Sequence, residues 1–156
     1  NLPDEVERQG AKVGILQYIL SKRPYDFSND TLSLTTWGIV NETIDGVEGH
    51  HIAPLGSATK IGESTKKLRK DVNNPLNSCL NFTYITETSN KAISAKSPED
   101  YFSELASYDL ADHFIPDIDL YKVAHSTKNY EPILKSRYEL LKNSMIQHVN
   151  GLKKSS

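Results

Sequence analysis

Apolar residues recur at helical spacing near both ends of the chain. In residues 4–22 the stripe comprises Val6, Val13, Leu16 and Leu20, which Ile15 and Ile19 widen. Arg23-Pro24 ends the pattern. A second stripe runs from about Pro132 to Val149; it comprises Ile133, Leu134, Tyr138, Leu141, Met145 and Val149. This spacing puts the apolar side chains on one face of a helix. We therefore predict a helix at each end, the second stopping at Gly151.

Two short strands are predicted in the middle of the chain. The turn signal Asp45-Gly46 precedes Val47 to Ile52, which suits a short strand. Residues Asn81 to Thr86 alternate polar and apolar positions and are rich in β-formers. A short helix is expected over Lys91-Ala92-Ile93, and Ser97-Pro98-Glu99-Asp100 has the residues of a helix start.

The remaining regions are less regular. Thr31 to Trp37 is either a strand or the start of a helix that runs to Val40. Residues 55–75 are loop-like or weakly helical, and residues 111–130 are predicted to be irregular. We find no linker that would divide residues 1–156, so we expect one domain.

Composition excludes several classes of protein. Hydrophobic residues make up 37% and charged residues 24%, which is typical of a globular domain. No apolar run approaches the roughly 18 residues of a membrane helix, and the first residues lack the features of a signal peptide. The lone Cys79 cannot form an internal disulfide and favours a reducing cytoplasm. Because there is no initiator Met, we expect a piece of a longer protein.

Histidine and asparagine residues mark the central elements. The pair His50-His51 ends the first predicted strand, while Asn81 opens the second strand and Asn90 precedes the short helix. This order resembles the ββα-metal, or HNH, nuclease superfamily, in which a hairpin and a helix hold one divalent metal ion. The resemblance implies an α+β fold, with a ββα-metal finger over about 45–105 embedded in a mainly helical domain (flanks 1–40 and 106–150).

One branch of that superfamily looks most similar. The segments 77–85, 88–94 and 96–102 resemble the C-terminal nuclease domain of prokaryotic restriction proteins, as do Phe114-Ile115-Pro116 and Arg137. Residues 1–40 match only loosely, by an apolar helix and Tyr25-Asp26 before Phe27. The resemblance implies a DNA endonuclease acting on foreign or modified DNA. It also implies, as a partner region, an N-terminal ParB-like domain that hydrolyses nucleotides.

The family's roles transfer to four residues. By resemblance His50 and Asn90 bind the metal, His51 is the general base, and Asn81 orients His51 through an amide or backbone oxygen. Two protein ligands without a thiolate favour Mg²⁺ or Mn²⁺, and His50 would also tolerate Zn²⁺, Ni²⁺ or Co²⁺. Asn77, four residues before Asn81, is the rival for the orienting role.

The chemistry of phosphodiester hydrolysis suits these residue types. It requires an activated water and positive charge near the phosphate. Histidine is a natural base because its usual pKa of about 6.5 leaves it mostly neutral at pH 7. Since adjacent strand residues point to opposite faces, two neighbouring histidines would diverge. We therefore expect a bend or bulge at the strand end near Pro54.

Basic residues near the predicted site are candidates for phosphate contacts. The net charge of −2 argues against binding nucleic acid by bulk charge, but a local basic surface remains possible. The candidates are Lys60, Lys66, Lys67, Arg69, Lys70, Lys91 and Lys96. His113, His125 and His148 are expected to be structural. The alternatives to a DNA endonuclease are a nucleic-acid-binding or partner-docking module of the same shape and a nuclease acting on RNA.

Overall fold

Short helices and strands alternate in the first part of the chain. A computed structural model describes residues 9–41, 43–59, 64–71, 73–94, 96–105 and 107–154. The elements up to residue 70 are α1 (Gln9–Ser21), β1 (Tyr25–Asp26), β2 (Asn29–Ser33), α2 (Thr36–Val40), β3 (Val47–His51), α3 (Leu55–Ala58) and α4 (Thr65–Lys70). The first predicted helix is confirmed from Gln9 onward, and its earlier residues lie outside the described ones. The ambiguous segment contains both elements, because β2 ends at Ser33 and α2 begins at Thr36.

Helices dominate the second part of the chain. Two 3-10 turns, Pro75–Asn77 and Cys79–Asn81, precede β4 (Phe82–Thr86), α5 (Glu87–Ile93), α6 (Pro98–Phe102), α7 (Ser107–Asp112), α8 (Ile118–Thr127) and α9 (Glu131–Lys154). The described residues thus form a mixed α+β fold that is mainly helical and has two small two-stranded antiparallel sheets. The predicted class is confirmed at this level. A single domain over residues 1–156 stays a prediction.

Two predictions about the second part were wrong. Residues 111–130 contain α8, which begins where the Asp117 carboxylate accepts a hydrogen bond of 2.8 Å from the Asp119 backbone. Only Tyr121 and Ala124 of this helix are buried, so its apolar stripe is too short to stand out in the sequence. The last helix does not stop at Gly151 but continues to Lys154. An exposed glycine inside a helix costs about 1 kcal/mol and need not end it.

The sheet that carries the two histidines is regular. β3 pairs antiparallel with β4, which places His50 opposite Thr83 and His51 opposite Phe82. Of the bend or bulge expected near Pro54, the structure has the bend, which lies directly after β3 at Ile52-Ala53. The strand pairing itself shows no register shift. The second strand begins at Phe82 and not at Asn81, because Asn81 belongs to the preceding 3-10 turn.

Two buried polar side chains fix the backbone around this sheet. Arg137 on α9 is fully buried and donates hydrogen bonds to backbone carbonyls on both sides of Asn81. The buried carboxylate of Asp26 accepts hydrogen bonds from the Thr86 amide (2.7 Å), the Thr86 hydroxyl (3.0 Å) and the Ser89 hydroxyl (2.5 Å). Asp26 therefore holds the start of α5, the helix that contains Asn90.

Apolar packing encloses the sheet from two directions. One cluster includes Ile52, Ile85, Phe102 and Ile133, and a second joins α1 to α9 through Ile19, Leu80, Leu134 and Leu141. Among the described residues, none of the helices combines the length and apolar character that crossing a membrane requires.

His113 is a fully buried histidine outside the sheet. Its Nε2 donates to the Tyr25 carbonyl at 2.7 Å, and its Nδ1 lies 2.6 Å from the Thr83 hydroxyl, which donates to it. Burial lowers the pKa of His113 to about 4, and the positive charge of Arg137 also lowers it. The hydrogen bond to the Tyr25 carbonyl acts in the opposite direction. The structural role expected for His113 agrees with this environment.

The free energy of unfolding should therefore depend on the protonation of His113. Because its folded pKa lies below the unfolded value of about 6.5, its neutral form stabilises the fold above pH 6.5, and this is lost as pH falls toward 4. We expect His113→Gln to reduce the slope of unfolding free energy between pH 6 and 5 by up to about 1.4 kcal/mol per pH unit. Denaturant unfolding at each pH measures the slope. The exposed His148→Gln is the control, and equal slopes in the His113 variant and the wild type would contradict the assignment.

Candidate active site

A cleft of about 900 Å³ opens beside the β3–β4 sheet. Residues from seven elements line it, namely α1, β3, α3, α4, the first 3-10 turn, β4 and α5. The charged, imidazole and amide side chains of the lining are Lys12, Glu48, His50, His51, Arg69, Asn77 and Asn90. The three predicted residues His50, His51 and Asn90 are thus brought together, and Asn81 lies behind them.

His50 lies on the inner side of the cleft and is 3% exposed. Its Nδ1 is 2.9 Å from Oδ1 of Asn90, so the ring donates a hydrogen bond to that oxygen. Its edge contacts the rings of Phe27 and Tyr101, with centroids 6.1 and 5.8 Å away. Burial lowers the pKa of His50 to about 4, although the bond to Asn90 opposes the shift. The ring is therefore neutral at pH 7, and its buried Nε2 has no hydrogen-bond partner among the described residues.

Glu48 fixes the orientation of the Asn90 amide. Its Oε2 accepts a hydrogen bond of 2.5 Å from Nδ2 of Asn90, which turns the amide oxygen toward His50. Glu48 and His50 are two residues apart on β3 and so lie on the same face of the strand. Sequence reasoning missed Glu48, although this alternation was a signal that could have found it.

His51 is half-buried on the other side of the cleft. Its ring packs against Phe82, with centroids 4.2 Å apart. Burial lowers the pKa of His51 to about 4; Asn77 acts in the opposite direction, while the positive charges of Arg69 and Lys12 lower the pKa further. The ring is neutral at pH 7, and its Nε2 also lacks a hydrogen-bond partner among the described residues.

Asn77 is the amide that acts on the ring of His51. Its Nδ2 donates to the carbonyls of Leu68 and Asp71, at 2.7 and 2.8 Å, which uses both amide protons. The amide oxygen is left to face the His51 ring, and this explains why Asn77 raises the pKa of His51. A ring that donates to Asn77 carries its lone pair on the opposite nitrogen. Asn77, the rival of Asn81 for the orienting role, therefore lies beside His51.

Asn81 acts on the backbone that follows His51. Its buried amide accepts a hydrogen bond from the Ala53 nitrogen (2.9 Å) and donates to the carbonyls of Ala53 (3.2 Å) and Leu76 (2.8 Å). Its own carbonyl accepts from the Ile52 nitrogen at 2.8 Å. Asn81 thereby fixes the bend at Ile52-Ala53 and sets the direction in which β3 ends.

The predicted basic residues divide into three groups. Arg69 lines the cleft, while Lys66, Lys67 and Lys70 are exposed on α4 outside its lining. Lys91 pairs with Glu87, and Lys96 pairs with Glu104 at 3.2 Å, so their charges are partly compensated. Lys60 lies outside the described residues.

Lys12 is a cleft residue that sequence reasoning missed. It lies in the first turns of α1, almost forty residues before His51, and no local pattern connects the two. Only the packing of α1 against β4 brings its ammonium group into the cleft.

The donor groups in the cleft limit the kind of metal site that it can form. In the described part of the chain, no three His, Cys, Asp or Glu side chains gather closely enough to form a metal site by themselves. A metal ion here could therefore have at most two such side chains as ligands, and the amide oxygen of Asn90 beside His50 is a further donor. No protein-family model, curated protein or solved structure matches this chain.

Loss of the Asn81 amide should destabilise the fold. Asn81→Ala leaves buried backbone groups of Ala53 and Leu76 without partners, and each such group costs about 1–3 kcal/mol. We expect the free energy of unfolding to fall by about 3 kcal/mol in denaturant titrations. The exposed Asn143→Ala on α9 serves as the control. A loss below about 1 kcal/mol would mean that water replaces these hydrogen bonds.

Proposed function

We propose that this chain is an HNH endonuclease domain that hydrolyses DNA phosphodiester bonds with one divalent metal ion. The observation that carries the proposal is the pair of neutral imidazole rings in one cleft, each with different polar partners. His50 is linked to an amide oxygen and a carboxylate, whereas His51 is flanked by two cations. This separation provides a place for a metal ion and a place for a base beside a phosphate.

We further propose that β3, β4 and α5 form the ββα-metal finger. The antiparallel strand pair leads directly into α5, since β4 ends at Thr86 and the helix begins at Glu87. His50 on β3 and Asn90 on α5 meet across this unit at 2.9 Å. The order and the contact are those that the resemblance leads one to expect.

His51 is the proposed general base. It is neutral at pH 7, so Nε2 can take a proton from the water that attacks phosphorus. The adjacent Asn77 oxygen favours a proton on the other ring nitrogen and so keeps the lone pair on Nε2. A pKa near 4 makes a weak base, but a bound phosphate places negative charge beside the ring and raises the pKa toward the working pH.

His50 and Asn90 are the proposed metal ligands. Their facing atoms, Nδ1 of His50 and Oδ1 of Asn90, lie 2.9 Å apart, so both could hold one ion if the proton on Nδ1 moved to Nε2. An ion would replace the hydrogen bond that now joins them. The ion, Mg²⁺ or Mn²⁺ by preference and Zn²⁺, Ni²⁺ or Co²⁺ as alternatives, supplies positive charge that stabilises the phosphate during cleavage. Glu48 holds the amide oxygen toward His50.

The biological setting is proposed from the sequence resemblance. Restriction of foreign or modified DNA in the cytoplasm, together with an N-terminal nucleotide-hydrolysing domain of the same protein, is the setting of the similar nuclease domains. One observation favours the alternative of a binding module: Lys66, Lys67 and Lys70 are exposed on α4 outside the cleft lining, where they could contact nucleic acid without taking part in cleavage. Cleavage assays distinguish the two.

Removal of His51 should abolish cleavage without unfolding the domain. We expect plasmid nicking by the purified chain with Mg²⁺ or Mn²⁺, and a loss of at least about 100-fold in His51→Ala, because a positioned base contributes roughly 10²–10⁴-fold. Gel assays with DNA and with RNA measure the rate and the substrate. Metal-independent DNA binding without nicking would favour the binding module, and cleavage that survives both His51→Ala and EDTA would overturn the mechanism.

The same assay separates the two asparagines. Asn77→Ala should lower the cleavage rate but reduce the unfolding free energy less than Asn81→Ala does, because its hydrogen bonds to the carbonyls of Leu68 and Asp71 are not fully buried. Asn81→Ala should lower both. If Asn77→Ala abolishes cleavage and Asn81→Ala does not, the orienting role assigned to Asn81 by resemblance is wrong.

Glu48→Gln should weaken metal binding. Glutamine can donate to the Asn90 oxygen as well as accept from its nitrogen, so the amide orientation is no longer fixed. Loss of such an outer partner typically costs 10–100-fold in metal affinity. Calorimetric titration with Mn²⁺ measures the affinity without any cleavage. Glu87→Gln is the control, because Glu87 lies at the start of α5 and is paired with Lys91. Equal affinities in the two variants would exclude a role for Glu48.

A further inference from the structure

Lys12 is held in the cleft by an aromatic ring. Its Nζ lies 3.4 Å from the centroid of Phe82, and the same ring packs against His51 at 4.2 Å. A cation over a ring face gains about 0.5–2 kcal/mol, more when it is partly removed from water. Phe82 therefore places a positive charge one ring away from the proposed base.

Arg69 supplies a second positive charge at the same place. It reaches the cleft from α4, and its charge, like that of Lys12, acts on His51. Among the ion pairs of the described residues, neither Lys12 nor Arg69 has a carboxylate partner. The described lysines Lys91, Lys96, Lys122, Lys135 and Lys142 do have one. The charges of Lys12 and Arg69 are thus not paired with a carboxylate of the described residues, although the chain as a whole has a net charge of −2.

Glu48 is the one carboxylate among the described residues that line the cleft, and it is engaged elsewhere. It bonds to Asn90 on the His50 side, whereas Lys12 and Arg69 act on His51. The cleft is therefore divided into an oxygen-donor side and a cationic side. A divalent cation suits the first, and an anion suits the second.

We propose that Lys12 and Arg69 form a binding site for the phosphodiester group that His51 acts upon. This inference deepens the proposed function and rests on it. Lys12 would pair with a non-bridging oxygen of the phosphate. Arg69 can donate two parallel hydrogen bonds to the same phosphate group. The phosphate would then lie against the nitrogen of His51 that lacks a partner. Lys12 acts in binding substrate, and α1 becomes part of the site although it lies outside the proposed ββα unit.

Binding to DNA without cleavage tests the role of Lys12. We compare the wild type with Lys12→Gln and Lys12→Arg, using fluorescence anisotropy of a labelled 20-base-pair duplex in EDTA over a range of salt. One phosphate contact adds about 0.9 to the slope of log affinity against log salt. Lys12→Gln should reduce the slope by about 0.9 and the affinity at 50 mM salt by ~10-fold, whereas Lys12→Arg should preserve both.

Lys22→Gln is the matched control. Lys22 directly follows α1 and also lies over an aromatic ring, that of Tyr18 at 4.9 Å, but it does not line the cleft. Lys22→Gln should keep the wild-type slope of log affinity against log salt. If Lys12→Gln and Lys22→Gln behave alike, Lys12 does not bind phosphate and the inference is overturned, while metal-dependent cleavage by the wild type would leave the proposed function intact.

A second probe separates this inference from the proposed function. Inorganic pyrophosphate is titrated while the ring resonances of His51 are followed by NMR. Shifts in the wild type and in Lys22→Gln that are lost in Lys12→Gln support the anion site even if no nucleic acid is cleaved. Absence of shifts in the wild type contradicts the site.

Discussion

The guanidinium of Arg137 is a fully buried cation whose hydrogen bonds go to backbone carbonyls. It donates to Leu80 at 2.5 Å, Phe82 at 2.7 Å, His113 at 3.0 Å and Phe114 at 3.2 Å. Burial lowers the pKa of Arg137 to about 10, so the group remains charged at pH 7. Four dipoles compensate a charge that would otherwise be costly to bury. Because two of those carbonyls flank Asn81, α9 fixes the segment from which Asn81 holds the bend after His51.

The position of each histidine thus depends on a different buried polar group. The position of His51 depends on Arg137, because Arg137 fixes Asn81 and the Asn81 side chain accepts a hydrogen bond from the Ala53 backbone. The hydroxyl of Tyr101 also donates to the Ile52 carbonyl in the same bend. Asn90, the partner of His50, depends on Asp26 through the start of α5. Regular strand pairing directs adjacent side chains to opposite faces, so His50 and His51 meet different partners without any bulge. The geometry of the strand alone explains why the two rings have different surroundings.

The sequence predicted the elements that have strong local signals. The strand before His51, the strand around Thr83 and the capped start of α6 follow from alternation and capping residues, and the structure agrees with them. Helix α8 was missed because only two of its side chains are buried. Asn77 and Asn81 both stood out in the sequence, but their tasks depend on which backbone groups lie nearby, and that is decided by packing. Lys12 had no signal, since its place in the cleft depends on how α1 packs on β4.

The two positive charges in the cleft affect the protonation of His51. With no anion present, burial and the two cations both favour a neutral ring, which preserves the lone pair but makes it a weak acceptor of protons. An anion at the proposed phosphate site beside Lys12 and Arg69 would offset their charge and so raise the pKa of His51. The proposed base would therefore become stronger when its proposed substrate is bound, which would tie its reactivity to the presence of that substrate.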